Sequence, residues 1–406
     1  MSQVNTLKKR SIMLIVGVAA MLFAGIIYAW SILKSPLSAE LGFDNSALAL
    51  NFTLTMCFFC LGGFLGSFLS KKIGVKLSII IAGVLSGLGF VLTSLLGGGS
   101  VIPLYLTYAI MSGGGIGVVY NVIISSVSAW FPDKKGFCSG CLMMSFGAST
   151  LLLGNLASLL FETPSVGWRT TYVIIGIALG AALAISGLFI KRPGEKDILP
   201  EAKTAGAREE AFEKRDYSPA QMLRRASFWL AFICLIFLTA VGSSVISFAR
   251  DLALSVGAQA GLATTLVGVL SVCNGLGRII TGKTFDLLGR RKTMLVANIL
   301  TIVAAGATLL AVYLSSLPLC IIGLCLTGMS YGASPTVSSA FTSAFYGAKH
   351  FPTNFSIMNF NLMAASFVAT ACSSLLSATG GYTAPFILLL LLSSAALVLN
   401  ISIKKP

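Results

Sequence analysis

The stretch ATTLVGVLSVCNGLGRIITGKT, residues 263–284, decides the fold. It is apolar and long enough to cross a bilayer, which takes about 20 residues of helix. Its only charge before Lys283 is Arg278. Asp286 marks the expected inner end of the helix, and at about 1.5 Å per residue Arg278 lies roughly 12 Å inside that end. A guanidinium at that depth of a hydrocarbon layer is costly, and such charges face polar cavities that carry substrate. The simplest complement is an anion that comes and goes.

The rest of the chain fits that reading. Hydrophobic residues make up 56% of the 406 and charged ones only 10%, whereas a soluble domain carries about 25% charged residues. Apolar blocks recur at 11–33, 47–69, 77–97, 101–129, 137–161, 170–190, 227–249, 261–284, 293–314, 317–341, 353–377 and 383–403. They predict an all-α integral membrane protein with twelve spans. The first block is too long for a cleavable signal and is not followed by a soluble domain.

The net charge of +15 has a topological meaning. With the N-terminus cytoplasmic, inside segments hold Lys8, Lys9, Arg10, Lys71, Lys72, Lys76, Lys134, Lys135, Lys283, Arg290, Arg291, Lys292 and Lys349, together with the basic residues of the central loop and the C-terminal lysines. Only Lys34, Arg169 and Arg250 fall outside, so both termini are expected in the cytoplasm. Scattering over short loops argues against nucleic-acid binding. Of the nine cysteines, Cys57 with Cys60 and Cys138 with Cys141 have C-x-x-C spacing. Both pairs lie in apolar spans, where packing is the better reading. One histidine, His350, leaves no basis for a histidine metal site. No cofactor, metal or catalytic residue is expected, and no H-E-x-x-H or G-x-S-x-G motif lies in the spans.

Residues 191–226 break the apolar pattern with a run of charges. They divide an N-terminal bundle, 1–190, from a C-terminal bundle, 227–406, as a cytoplasmic central loop. Ser218-Pro-Ala-Gln-Met-Leu-Arg-Arg225 ends that loop as a short interfacial helix, with Ser218 as N-cap and Pro219 first.

The halves echo each other. Gly282-Lys-Thr-Phe-Asp286-Leu-Leu-Gly289-Arg290-Arg291 follows the eighth span, and Ser67-Phe-Leu-Ser-Lys71-Lys72-Ile-Gly74 follows the second. The glycine suits a tight turn at positive φ. Asp286 could latch one conformation by pairing with an arginine or a helix N-terminus. The pattern G-x-x-x-D-x-x-G-R-R resembles the hallmark of the major facilitator superfamily. Further motifs fall in order: Tyr28-Ala-Trp30 before Pro36, Gly113 to Tyr120, Trp130-Phe-Pro-Asp133-Lys-Lys-Gly136, Gln221 to Trp229, and Asn274-Gly-Leu-Gly-Arg278. Together they resemble the oxalate–formate antiporter family of bacterial carboxylate transporters, relatives of the animal monocarboxylate transporters.

The resemblance implies two pseudo-symmetric six-helix bundles that work by alternating access in a bacterial inner membrane. It places Arg278, Tyr28, Tyr120 and Tyr331 around a central site, with Asn274 one turn before the arginine. Asp286, Gly289, Arg290, Gly282 and Asp133 are the expected gating positions. Ser271, Asn274, Arg278 and Thr281 share one helix face, as do Thr327, Tyr331, Ser334 and Ser338, with Gly332 and Pro335 able to bend the latter helix. Glycines 62 and 66, and 113 and 117, have the spacing of close helix packing. Leu362 stands where oxalate carriers resemble each other in having lysine, and Phe146 where a tyrosine can occur. One cation rather than two suits a monocarboxylate such as formate, lactate, acetate or pyruvate. The expected partners are that anion, a lipid bilayer and, if transport is symport, a proton; the protein is expected to act as a monomer. A drug or sugar carrier on the same fold, and a carboxylate sensor without net flux, are the competing readings.

Overall fold

The computed structural model describes residues 2–194, 197, 199 and 216–404. Much of the expected central loop, at 195, 196, 198 and 200–215, lies outside the described residues, as do 405 and 406. No strand occurs among the described residues.

Helix α1 (Ser2–Ala24) runs through a 3-10 turn (Gly25–Ala29) into α2 (Trp30–Leu41). Then come α3 (Asn45–Lys72), α4 (Gly74–Thr93), α5 (Ile102–Ser128), α6 (Lys135–Glu162) and α7 (Gly167–Phe189). Both α5 and α6 contain π-helical stretches, Tyr105–Gly113 and Thr150–Gly154. A short α8 (Pro219–Leu223) precedes α9 (Ala226–Ser255), α10 (Ala260–Tyr313), α11 (Leu317–Tyr346), α12 (Phe351–Thr379) and α13 (Thr383–Ser402).

Among the described residues eleven helices are long and apolar enough to span a membrane. The difference from twelve has one cause. The expected spans 261–284 and 293–314 join in α10, whose one non-helical residue is Gly289 at φ 74°, ψ −179°. Divided there, the run gives two membrane crossings. Gly74, at the matching place where α4 begins, also takes a left-handed φ of 85°. The two copies of the loop motif therefore share a backbone feature although Lys71 replaces the aspartate.

The chain divides into two compact units. Met1–Asp133 with Ser145–Ala202 forms the first, and Lys134–Met144 with Lys203–Pro406 the second. The first turns of α6 thus group with the C-terminal unit.

Surfaces and contacts are those of a bilayer protein. Large apolar side chains such as Ile177, Ile185, Leu188, Val296, Val303, Leu391 and Val398 are exposed on the spans, the inverse of a soluble surface. Between helices, small residues permit close backbone approach. In the N-terminal unit both expected glycine pairs lie where α3 and α5 cross, each glycine against the backbone of the other helix. A Cβ on Gly62 of α3 would fall 2.0 Å from the Gly114 carbonyl oxygen, and one on Gly117 of α5 2.0 Å from that of Phe59. No side chain fits at either place.

The loop end is well formed. Ser218 and Gln221 make a reciprocal capping box on α8, with the Ser218 amide donating to Gln221 Oε1 at 2.9 Å. The Tyr217 amide bonds the Tyr346 carbonyl at 3.1 Å, and the Trp229 indole closes the turn on Leu223 O at 2.9 Å. The expected helix is present, one turn long.

Candidate functional site

In the C-terminal unit the first arm of α10 is buried by glycine contacts. A Cβ on Gly332 of α11 would lie 2.1 Å from Asn274 O, and one on Gly277 of α10 2.3 Å from Met329 O. This close seating buries Arg278 to 3% exposure and Asn274 to 8%. Arg278 Nε donates to Asn274 Oδ1 at 3.2 Å, one turn back on the same helix. Nη1 donates to the backbone carbonyl of Met143, on α6. Arg278 forms no ion pair among the described residues, and Nη2 has no hydrogen bond there. Its charge is met by neutral acceptors alone, which leaves a strong demand for an anion.

The segment from Lys135 to Met144 lies along both α10 and α11. Toward α10, a Cβ on Gly136 would fall 2.5 Å from Gly282 O, and one on Gly140 2.6 Å from Arg278 O. Toward α11 there is a polar ladder. Lys135 Nζ donates to Ser343 Oγ at 3.0 Å, the Ser139 and Ser339 hydroxyls bond at 3.0 Å, and Thr336 Oγ1 reaches Met143 Sδ at 3.9 Å. Asp286 closes the inner end. Its Oδ1 accepts from the Gly136 amide at 2.9 Å and its Oδ2 from the Phe137 amide at 2.7 Å. A carboxylate on the free amides of a helix N-terminus satisfies both hydrogen bonding and the helix dipole. Arg278 and Met143 O close the other end.

The other positions expected to gate have separate places. Gly282 is the close-contact residue opposite Gly136, and Gly289 makes the turn. The Arg290 guanidinium lies over the Phe345 ring, 5.0 Å from its centroid. Asp133 belongs to the N-terminal unit, where it pairs with Arg10. Arg10 also sits 4.5 Å above the Phe131 ring.

Tyr331 packs against α9 at Gly242, where a Cβ would come within 2.3 Å of the ring. Two other polar residues of its stripe bind neighbouring helices, while the buried Thr327 hydroxyl has no hydrogen-bond partner among the described residues. Ser334 Oγ meets Thr239 Oγ1 at 2.5 Å and Ser338 Oγ donates to Asn359 Oδ1 at 3.5 Å. Helix α11 continues through Pro335. In the N-terminal unit, Tyr28 and Tyr120 converge edge-on upon Phe146, with ring centroids 5.3 and 5.1 Å away. Phe59 joins them at 5.0 Å from Tyr120. The phenylalanine thus supplies the packing that holds both phenols.

Two partners escaped the sequence reading. The Met143 carbonyl could not have been found, because a backbone acceptor carries no residue signature. Arg10 was visible only as one of several basic residues near the N-terminus.

Comparison with known proteins fixes the class. The family model of the Major Facilitator Superfamily matches residues 13–261 and 232–405. The chain belongs to that superfamily, a family of membrane transporters. It is 27% identical over 365 residues to the uncharacterized MFS-type transporter YhjX of Escherichia coli (strain K12), covering 88% of this chain and 86% of that one. It is 25% identical over 334 residues to the oxalate:formate antiporter of Oxalobacter formigenes, covering 81% and 77%. Monocarboxylate transporter 12 of Mus musculus is 24% identical over 368 residues, covering 85% and 75%. Among solved structures, the proton:xylose symporter XylE superposes with a TM-score of 0.72 at 14% identity over 99% of this chain and 97% of that one. The Escherichia coli fucose:proton symporter FucP gives 0.69 at 12% identity over 98% and 100%. These two establish the fold.

Proposed function

We propose that the protein is a secondary transporter of small carboxylate anions, chiefly monocarboxylates, working by alternating access. One observation carries the reading: Arg278 is buried within a membrane span, bonded only to neutral acceptors and outside any ion pair among the described residues. Asn274 orients the guanidinium through Nε, so the fork is pre-organised for a planar anion. A carboxylate about 4 Å away gains roughly 4 kcal/mol at an effective dielectric of 20. A neutral acceptor on a charged donor contributes about 1.5–3 kcal/mol. Before the cost of shedding its own water, the anion thus has the stronger attraction to the guanidinium that the carbonyl now holds through Nη1.

The names of two relatives, an oxalate:formate antiporter and a monocarboxylate transporter, agree with this chemistry. Leu362 in place of a second cation favours one carboxylate over two. Tyr28, Tyr120 and Tyr331 are proposed to donate hydrogen bonds to the anion and to exclude water. Exchange of two anions and symport with a proton both use this site. Both termini are proposed to lie in the cytoplasm of a bacterial cell, a reading supported by the basic residues of the expected inner loops.

Uptake of labelled formate and lactate into proteoliposomes tests the proposal. Arg278→Ala is expected to lower uptake at least 100-fold while the protein still purifies as a folded species. Uptake at the parental rate would remove the substrate role.

A further inference from the structure

The geometry of residues 135–144 points to a second task for Arg278. We propose that this side chain is both the ligand for the carboxylate and the last rung of the contact holding Lys134–Met144 on the C-terminal unit. A carboxylate arriving at the guanidinium takes the place of the Met143 carbonyl and loosens the segment. The inference rests on the carboxylate reading above and adds how binding is coupled to movement.

Three observations carry it. The segment is gripped at its ends by charged groups on one helix: Asp286 on the Gly136 and Phe137 amides, and Arg278 on Met143 O. Between them the grip is weak, consisting of one hydroxyl pair, a thioether contact and glycine contacts, with the Lys135 ammonium on Ser343 adding a contact beside the Asp286 end. Of the two charged ends, only Arg278 faces a group that an incoming anion can replace, because an anion cannot substitute for the amides on Asp286. Nη2, without a hydrogen bond among the described residues, gives the first carboxylate oxygen a place to land. The second oxygen then claims Nη1 and completes the bidentate fork. The segment continues directly into Ser145 of the other unit, so its release is the step that alternating access requires.

Disulfide trapping tests the rung. The Ser139 and Ser339 hydroxyls are 3.0 Å apart, so S139C with S339C brings two thiols within bonding reach. Cys138 and Cys141 are first changed to alanine, since they flank the site. Cross-linking by copper phenanthroline is followed as loss of alkylatable thiols by mass spectrometry, in full-length protein in proteoliposomes. Without substrate, Arg278→Ala is expected to slow cross-linking at least fivefold. Arg278→Met provides the same reading should the alanine variant fail to fold. Formate or lactate should slow the parent several-fold and leave the arginine variants unchanged.

Cross-linking of the variants at the parental rate would overturn the inference, even if transport is lost, and would leave the carboxylate reading standing. Slowed cross-linking in variants that still transport carboxylate would keep the rung and sink that reading. A parent whose cross-linking ignores saturating carboxylate would refute the coupling.

Discussion

At the residue scale, the molecule depends on where cations sit and what meets them. Arg278 was conspicuous in the sequence because a charge interrupts an apolar span, and its side chain is buried at 3% exposure. What the sequence could not reveal is that a main-chain oxygen shares the guanidinium. Arg10 and Asp133 show the opposite solution. Their side chains are only 7% and 11% exposed, and they neutralise each other. A half-broken buried pair strands a charge, at a cost of about 3–5 kcal/mol. Arg10→Met and Asp133→Asn are each expected to lower the melting temperature in detergent by several degrees. The double variant R10M/D133L should recover most of the loss. Single variants that melt with the parent would show that the pair contributes nothing.

At the element scale, helix contacts are made by missing side chains. Gly136, Gly140 and Gly282 let α6 and α10 touch backbone to backbone. A methyl group at Gly136 would lie 2.5 Å from a carbonyl oxygen, and overpacking of that kind costs about 1–3 kcal/mol. Gly136→Ala should therefore speed hydrogen exchange at the Gly136 and Phe137 amides by tenfold or more, as the Asp286 cap is pushed away. Unchanged exchange would mean that the crossing tolerates a side chain. The spans were readable because apolar length alone defines them. The merged run of α10 was not, since whether a glycine turn interrupts a helix depends on its φ. The stripe of Thr327, Tyr331, Ser334 and Ser338 had helical spacing, yet spacing cannot say which neighbour a face meets. Here Ser334 and Ser338 bind α9 and α12 residues.

At the scale of the whole molecule, two units echo each other, and the C-terminal one holds Arg278 between a neutral carbonyl and a side-chain amide, outside any ion pair among the described residues. The repeat was visible in the paired loop motifs and returns as left-handed glycines at 74 and 289. The tyrosines from the two halves enter the proposed site only through family resemblance, since a phenol in a span serves packing as readily as binding. The central claim is that a small carboxylate binds at Arg278. Isothermal titration of the purified protein with formate, lactate, acetate, pyruvate and oxalate tests it most directly. Saturable binding of at least one monocarboxylate, tighter than oxalate, is expected, and it should disappear in Arg278→Ala and Arg278→Met. Equal binding by the parent and both variants would contradict it.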